Sequence, residues 1–205
     1  MHLFNEHKIN ENCNTNFNDF IDVYESINHE LWHLYSLKQT TKEELRYQRF
    51  YKAFLNFNYD NLQLAHHWAD DYLKISPYKT HLIDGAIDVL LYLQEKYQLH
   101  IITNGFKEVQ HIKLDYSNLN PFFEHVIISE EHGFNKPDIK IFDLAQQLTN
   151  AKTHECVMIG DNYDTDILGA LNAQWKAIYL SEIETKNKDE NYTQINRLIH
   201  LKEMF

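Results

Sequence analysis

Residues 157–170 read VMIGDNYDTDILGA and place Asp161, Asp164 and Asp166 within six positions, directly behind an apolar run. Two other polar groups also follow apolar runs. Thr103, Asn104 and Gly105 come after HII, and Gly133, Lys136 and Pro137 come a short loop after VIIS. Phosphoryl chemistry needs this set: donors for phosphate oxygens, a cation against their charge, and carboxylate oxygens for Mg²⁺. On this reading Thr103, Asn104, Gly105 and Lys136 hold the phosphate, and Thr103 and Lys136 are the catalytic side chains that this chain supplies. Asp161 and a second aspartate of the group hold the metal, and Asp161 or Asp164 is placed to cap the next helix. Taken singly, T-N-G is an ordinary turn, K-P a solvated lysine and each aspartate a helix cap. Their occurrence in order behind successive apolar runs is the signal.

The elements that position these residues follow from periodicity. Up to about residue 79 the pattern is helical throughout. In FNDFIDVYESINHELWHLYSL the positions Phe17, Phe20, Ile21, Tyr24, Ile27, Leu31 and Leu34 lie on one helical face. Thr41 and Glu44 form a capping box that opens a second helix, and Asp60 with Gln63 is expected to open a third. Pro77 and Gly85 punctuate the boundary, giving a helical domain over 1–79 and a second domain over 80–205. In the second domain, helical segments alternate with the short apolar runs LHIIT, HVIIS, CVMIG and KAIYLS. That alternation predicts an α/β domain, a parallel sheet with helices on both faces. Sites on such sheets form beyond the carboxyl ends of the strands, where the polar groups sit. INRLIHLKEM is expected to be a last helix, and the polar run 181–193 a surface loop.

Composition narrows the partners. The 205 residues carry a net charge of −11 and no Lys/Arg cluster, which argues against nucleic acid and leaves room for a small phosphorylated substrate. No apolar run approaches the ~20 residues of a membrane helix, and the N-terminus has no signal-peptide pattern. Cys13 and Cys156 are too few for a disulfide framework, so a reducing cytoplasm is the expected location. Of the 13 histidines, His66 and His67 are adjacent and point apart on a helix, and no HExxH spacing occurs. No zinc site is expected.

The three polar groups together resemble the haloacid dehalogenase (HAD) superfamily, a Rossmannoid fold made up mostly of Mg²⁺-dependent phosphatases. IITNG is similar to its second motif, Lys136 in KPD to its third, and GDNYDTD to its fourth, with Asp161 and Asp166 at the acidic positions. LHIITNGFKEVQHIKL, VIISEEHGFNKPDIKIFDLA and VMIGDNYDTDILGALNA look most like the noncanonical pyrimidine nucleotidases, and INHELWHLY and TKEELRYQRF look like their helical cap. The resemblance implies a nucleoside 5′-monophosphate phosphatase that works through an aspartyl-phosphate. GDNYDTD keeps the metal-binding acids that 2-haloacid dehalogenases lack, and a phosphoglucomutase would fit the cap less well. No sequence pattern specifies the preferred nucleotide or an oligomeric state.

One element of that resemblance is missing. No DxDxT follows an apolar strand in this chain, and MHLFNEHKINENC resembles the segment downstream of that motif. The resemblance therefore implies that the first, central strand is absent, together with the attacking aspartate and its acid/base partner. The chain is expected to be inactive by itself and to have a gap between LHIIT and CVMIG. The alternative is a catalytically dead remnant that binds phosphate or a partner.

Overall fold

The computed structural model describes residues 1–183 and 191–205, so most of the expected 181–193 loop lies outside the described residues. The chain divides into two compact units, Met1–Pro77 and Tyr78–Phe205.

The first unit is all helix: α1 (His2–Glu6), α2 (Ile9–Asn12), α3 (Phe17–Ser36), α4 (Lys42–Asn56) and α5 (Leu62–Ile75). The capping box at α4 forms, with Thr41 Oγ1 accepting from the Glu44 N–H and Glu44 accepting from the Thr41 N–H. At α5 the cap is Asn61, not Asp60. Asn61 Oδ1 accepts from the Leu64 N–H, while Asp60 instead accepts from the Tyr51 hydroxyl at 2.8 Å. The core is aromatic. Trp68 stacks on Phe20 and Phe50 with centroids 5.5 and 5.2 Å apart, and the buried Arg49 guanidinium lies over the Phe50 and Tyr72 rings. Such stacked pairs add about 0.5–1.5 kcal/mol each to the area they bury.

The second unit is α/β. It runs α6 (Ala86–Gln94), β1 (His100–Thr103), α7 (Lys107–Tyr116), β2 (His125–Ile128), α8 (Ser129–His132), α9 (Ile139–Thr149) and β3 (Val157–Gly160). A π-helical turn (Tyr163–Ile167) then leads into α10 (Leu168–Asn172), β4 (Lys176–Leu180), β5 (Thr193–Ile195) and α11 (Leu201–Met204). All strand pairings are parallel. Along β4, Ala177 joins the cluster built with Phe142 of α9 and Ala170 of α10, while Ile178 joins the cluster of Val89 and Leu93 of α6 and Leu201 of α11. Successive strand residues point to opposite faces, so helices cover both.

Two expectations are corrected here. The segment expected as one terminal helix begins instead with β5, and only Leu201–Met204 is α-helical, after a 3₁₀ turn at Leu198–His200. Ile195, the first residue of that segment, pairs with Leu180, and Thr193, expected in the surface loop, pairs with Ile178, so the sheet claims both. Asp164 does not cap the helix after β3 either; the Asn162 side chain accepts from the Thr165 N–H, and Asp164 lies in the first turn.

The sheet is interrupted. β1 pairs with β2 in one sheet, and β3–β4–β5 form another. Between β1 and β3 lies a cavity of about 820 Å³, lined by Ile101 and Ile102 on one side and Val157, Met158 and Ile159 on the other. The edge groups of β1 and β3 have no strand partner among the described residues.

Candidate active site

The polar residues gather at the carboxyl ends of the strands, at one end of this cavity. Thr103, Lys136, Gly160, Asp161 and Asp166 all line it. Thr103 ends β1, and its Oγ1 accepts from the Gly105 N–H at 3.0 Å. This turn fixes the Oγ1 lone pairs and leaves the hydroxyl hydrogen to donate outward.

The Asn104 side chain is fully engaged with the protein. Its Oδ1 accepts from the Lys136 N–H at 2.8 Å and from the Ser129 hydroxyl at 2.7 Å, and its Nδ2 donates to the Lys136 carbonyl at 2.8 Å. The amide therefore clamps the Lys136 backbone to the end of β1 and anchors Ser129 at the end of β2. It positions Lys136, and these three bonds leave its oxygen committed. Ser129, 1% exposed, is a support that the sequence reading passed over, although it stands directly after VII.

Lys136 Nζ lies 2.7 Å from Asp166 Oδ1, with both side chains buried. Asp166 is further held by the Thr165 hydroxyl at Oδ1 and by the Asn162 N–H at Oδ2. Gly160 makes room for it. A Cβ at that position would sit 2.3 Å from Asp166 Oδ2. Asp166 thus pairs with the lysine, a contact that its spacing does not predict. Asp161 is exposed at the rim and is the carboxylate open to a metal. Thr103, Lys136 and Asp161 are brought to one rim; Asn104 and Asp166 stand behind Lys136, and Gly105 closes the Thr103 turn.

A Rossmannoid parallel sheet covered by helices, with hydroxyl, ammonium and carboxylate at successive strand ends, defines a hydrolase of the HAD type. The haloacid dehalogenase-like hydrolase family matches residues 5–174, and the chain belongs to that family. Among its relatives, pyrimidine 5′-nucleotidase YjjG of Escherichia coli is 32% identical over 165 residues, 80% of this chain and 71% of the relative. Pyrimidine 5′-nucleotidase PynA of Streptococcus pneumoniae is 32% identical over 175 residues, 84% of this chain and 71% of the relative. The magnesium-bound structure of HAD-hydrolase YfnB of Bacillus subtilis superimposes with a TM-score of 0.84 at 27% identity, over 98% of this chain and 87% of that one.

Proposed function

We propose that this chain carries the phosphate-holding and metal-holding part of a Mg²⁺-dependent phosphatase that acts on nucleoside 5′-monophosphates, with pyrimidine nucleotides as the favoured class. The observation that carries this is the buried Lys136, held by Asp166 at 2.7 Å and aimed into the same cavity end as Thr103 and Asp161. An ammonium has three donors. One goes to Asp166, and the others are left for phosphate oxygens, joined by the Thr103 hydroxyl. The names of the relatives YjjG and PynA support a nucleotide substrate. The Met1–Pro77 unit acts as the cap that selects it.

The donor set fits Mg²⁺. Asp161 offers free carboxylate oxygens at the rim, and a hard cation with one or two protein carboxylates keeps water in its remaining positions. When bound, Mg²⁺ offsets the charge on the transferring phosphoryl group. Asp166 supports the site from behind through Lys136 and the Asn162 backbone.

The attacking carboxylate comes from elsewhere. The slot between β1 and β3 supports this, because an extended strand seated there would pair with both edges and deliver its terminal residues between Thr103 and Asp161. By resemblance that strand ends in DxDxT. Its first aspartate attacks phosphorus, and its second protonates the leaving oxygen. The 205 residues alone bind phosphate without turnover.

The test is a Mg²⁺-dependent phosphatase assay with uridine and thymidine monophosphates. It compares this chain with a version carrying an apolar strand plus DxDxT fused ahead of Met1. The fused chain should turn over and the 205-residue chain should not. Robust turnover by the short chain would overturn the proposal, as would a folded fusion that hydrolyses no phosphate ester.

A further inference from the structure

Within the helical unit, three side chains converge that the phosphatase reading does not use. His7 follows α1, while His67 and Asp71 lie one turn apart on α5. Asp71 Oδ2 is 3.3 Å from His7 Nε2 and 3.3 Å from His67 Nε2, and the three atoms all lie within 4.8 Å of one another. The His7 side chain is only 10% exposed, and its Nε2 has no hydrogen-bond partner among the described residues. An unmatched buried nitrogen is costly and calls for an occupant.

The distances indicate which occupant. A charge-assisted N–H···O bond is about 2.7–2.9 Å long, so 3.3 Å is slack for two imidazolium–carboxylate pairs. Ligands at about 2.0–2.1 Å from a tetrahedral ion are about 3.3 Å apart along each edge. Both nitrogen–oxygen separations match that edge. The third edge closes when the exposed His67 ring turns inward. Lys74 Nζ binds the other carboxylate oxygen, Oδ1, at 2.9 Å, which fixes Oδ2 toward the histidines. Two imidazoles and one carboxylate suit Zn²⁺; Mg²⁺, which prefers oxygen, would be poorly served.

We propose that His7, His67 and Asp71 form a Zn²⁺ site that staples the N-terminal helices onto α5. Water takes the fourth position on the exposed His67 side. Aromatic rings enclose the other side, with Trp68 5.8 Å from the His7 ring.

The test is titration of the full chain with Zn²⁺ by calorimetry and with Co²⁺ by visible absorption, each with a parallel melting curve. One equivalent should bind, with the spectrum of a tetrahedral Co²⁺ centre and a raised melting temperature. His67→Ala alters an exposed ring and should fold normally while weakening Zn²⁺ binding at least tenfold. Asp71→Asn should abolish the Co²⁺ spectrum. Asp161→Asn, at the phosphate rim, should leave both signals unchanged. Binding that survives His67→Ala and Asp71→Asn would mean adventitious capture by other histidines and would overturn the site. Absence of a saturating equivalent in the unaltered chain would overturn it equally.

Discussion

Lys136 and Asp166 form a buried ion pair, 2.7 Å between Nζ and Oδ1, that joins the loop after β2 to the helical turn after β3. Because Asn104 clamps the Lys136 backbone to the end of β1, the pair also straps the β1–β2 sheet to the β3–β4–β5 sheet beyond the gap between them. Lys136, the proposed phosphate-holding cation, is thus also a residue that bridges an interrupted sheet.

Asp166→Asn should therefore cost stability as well as function. Removing one partner of a buried pair leaves the other charge uncompensated, worth about 3–5 kcal/mol. Urea denaturation should show a loss of this size, and phosphate binding should weaken because Lys136 loses its anchor. The double change Lys136→Met with Asp166→Leu should recover much of the stability and none of the binding.

Asn104→Ala removes three hydrogen bonds at once and strands the Lys136 N–H and the Ser129 hydroxyl. A cost of about 2–4 kcal/mol is expected, since each unsatisfied buried group costs about 1–3 kcal/mol. Asn104→Asp keeps both acceptor bonds but turns the donor into an acceptor facing the Lys136 carbonyl, so it too should be destabilised. Equal midpoints for all three chains would show that the amide is not a clamp.

Stability should drop in mild acid through His100. Burial pushes this imidazole below its ordinary value of 6.5, with His125 beside it on β2 acting in the same direction and Glu124 opposing. Between the two values the unfolded chain binds more protons than the folded one. Stability therefore rises with pH there, and this contribution is lost as pH falls through about 6.5. The urea midpoint of His100→Phe should change less between pH 7.5 and 5.5 than that of the unaltered chain.

Both thiols should be slow to react while the protein is folded. Burial pushes the Cys13 thiol up to about 11 and raises Cys156 as well, and thiolate is the reactive form. A disulfide reagent at pH 8 should titrate two thiols quickly in urea and neither quickly in native buffer. Rapid native labelling at Cys13 would mean that α1 and α2 open readily.

Much of this protein is determined by the sequence alone. Strand and helix order followed from hydrophobic periods, which are local, and the placement of Thr103, Lys136 and Asp161 at strand ends followed from that order. The gap between β1 and β3 was anticipated only through the family resemblance, whose first strand has no counterpart among these residues. What tertiary structure decided is who pairs with whom. GDNYDTD marks Asp161 and Asp166 as the acidic positions, but only the fold leaves Asp161 exposed at the rim and pairs Asp166 with a lysine from a different loop. Nothing in the sequence around Asn104 foretells that its side-chain amide bonds to Lys136 and Ser129, which come from a distant segment. His67 looked idle beside His66 because its partners are a turn further along α5 and, in His7, on another segment. β5 was missed because three residues carry no readable period, and their strand exists only through pairing with β4. Periodicity fixes which face a residue shows, whereas hydrogen bonds and ion pairs depend on which remote group the fold brings within about 3 Å of it.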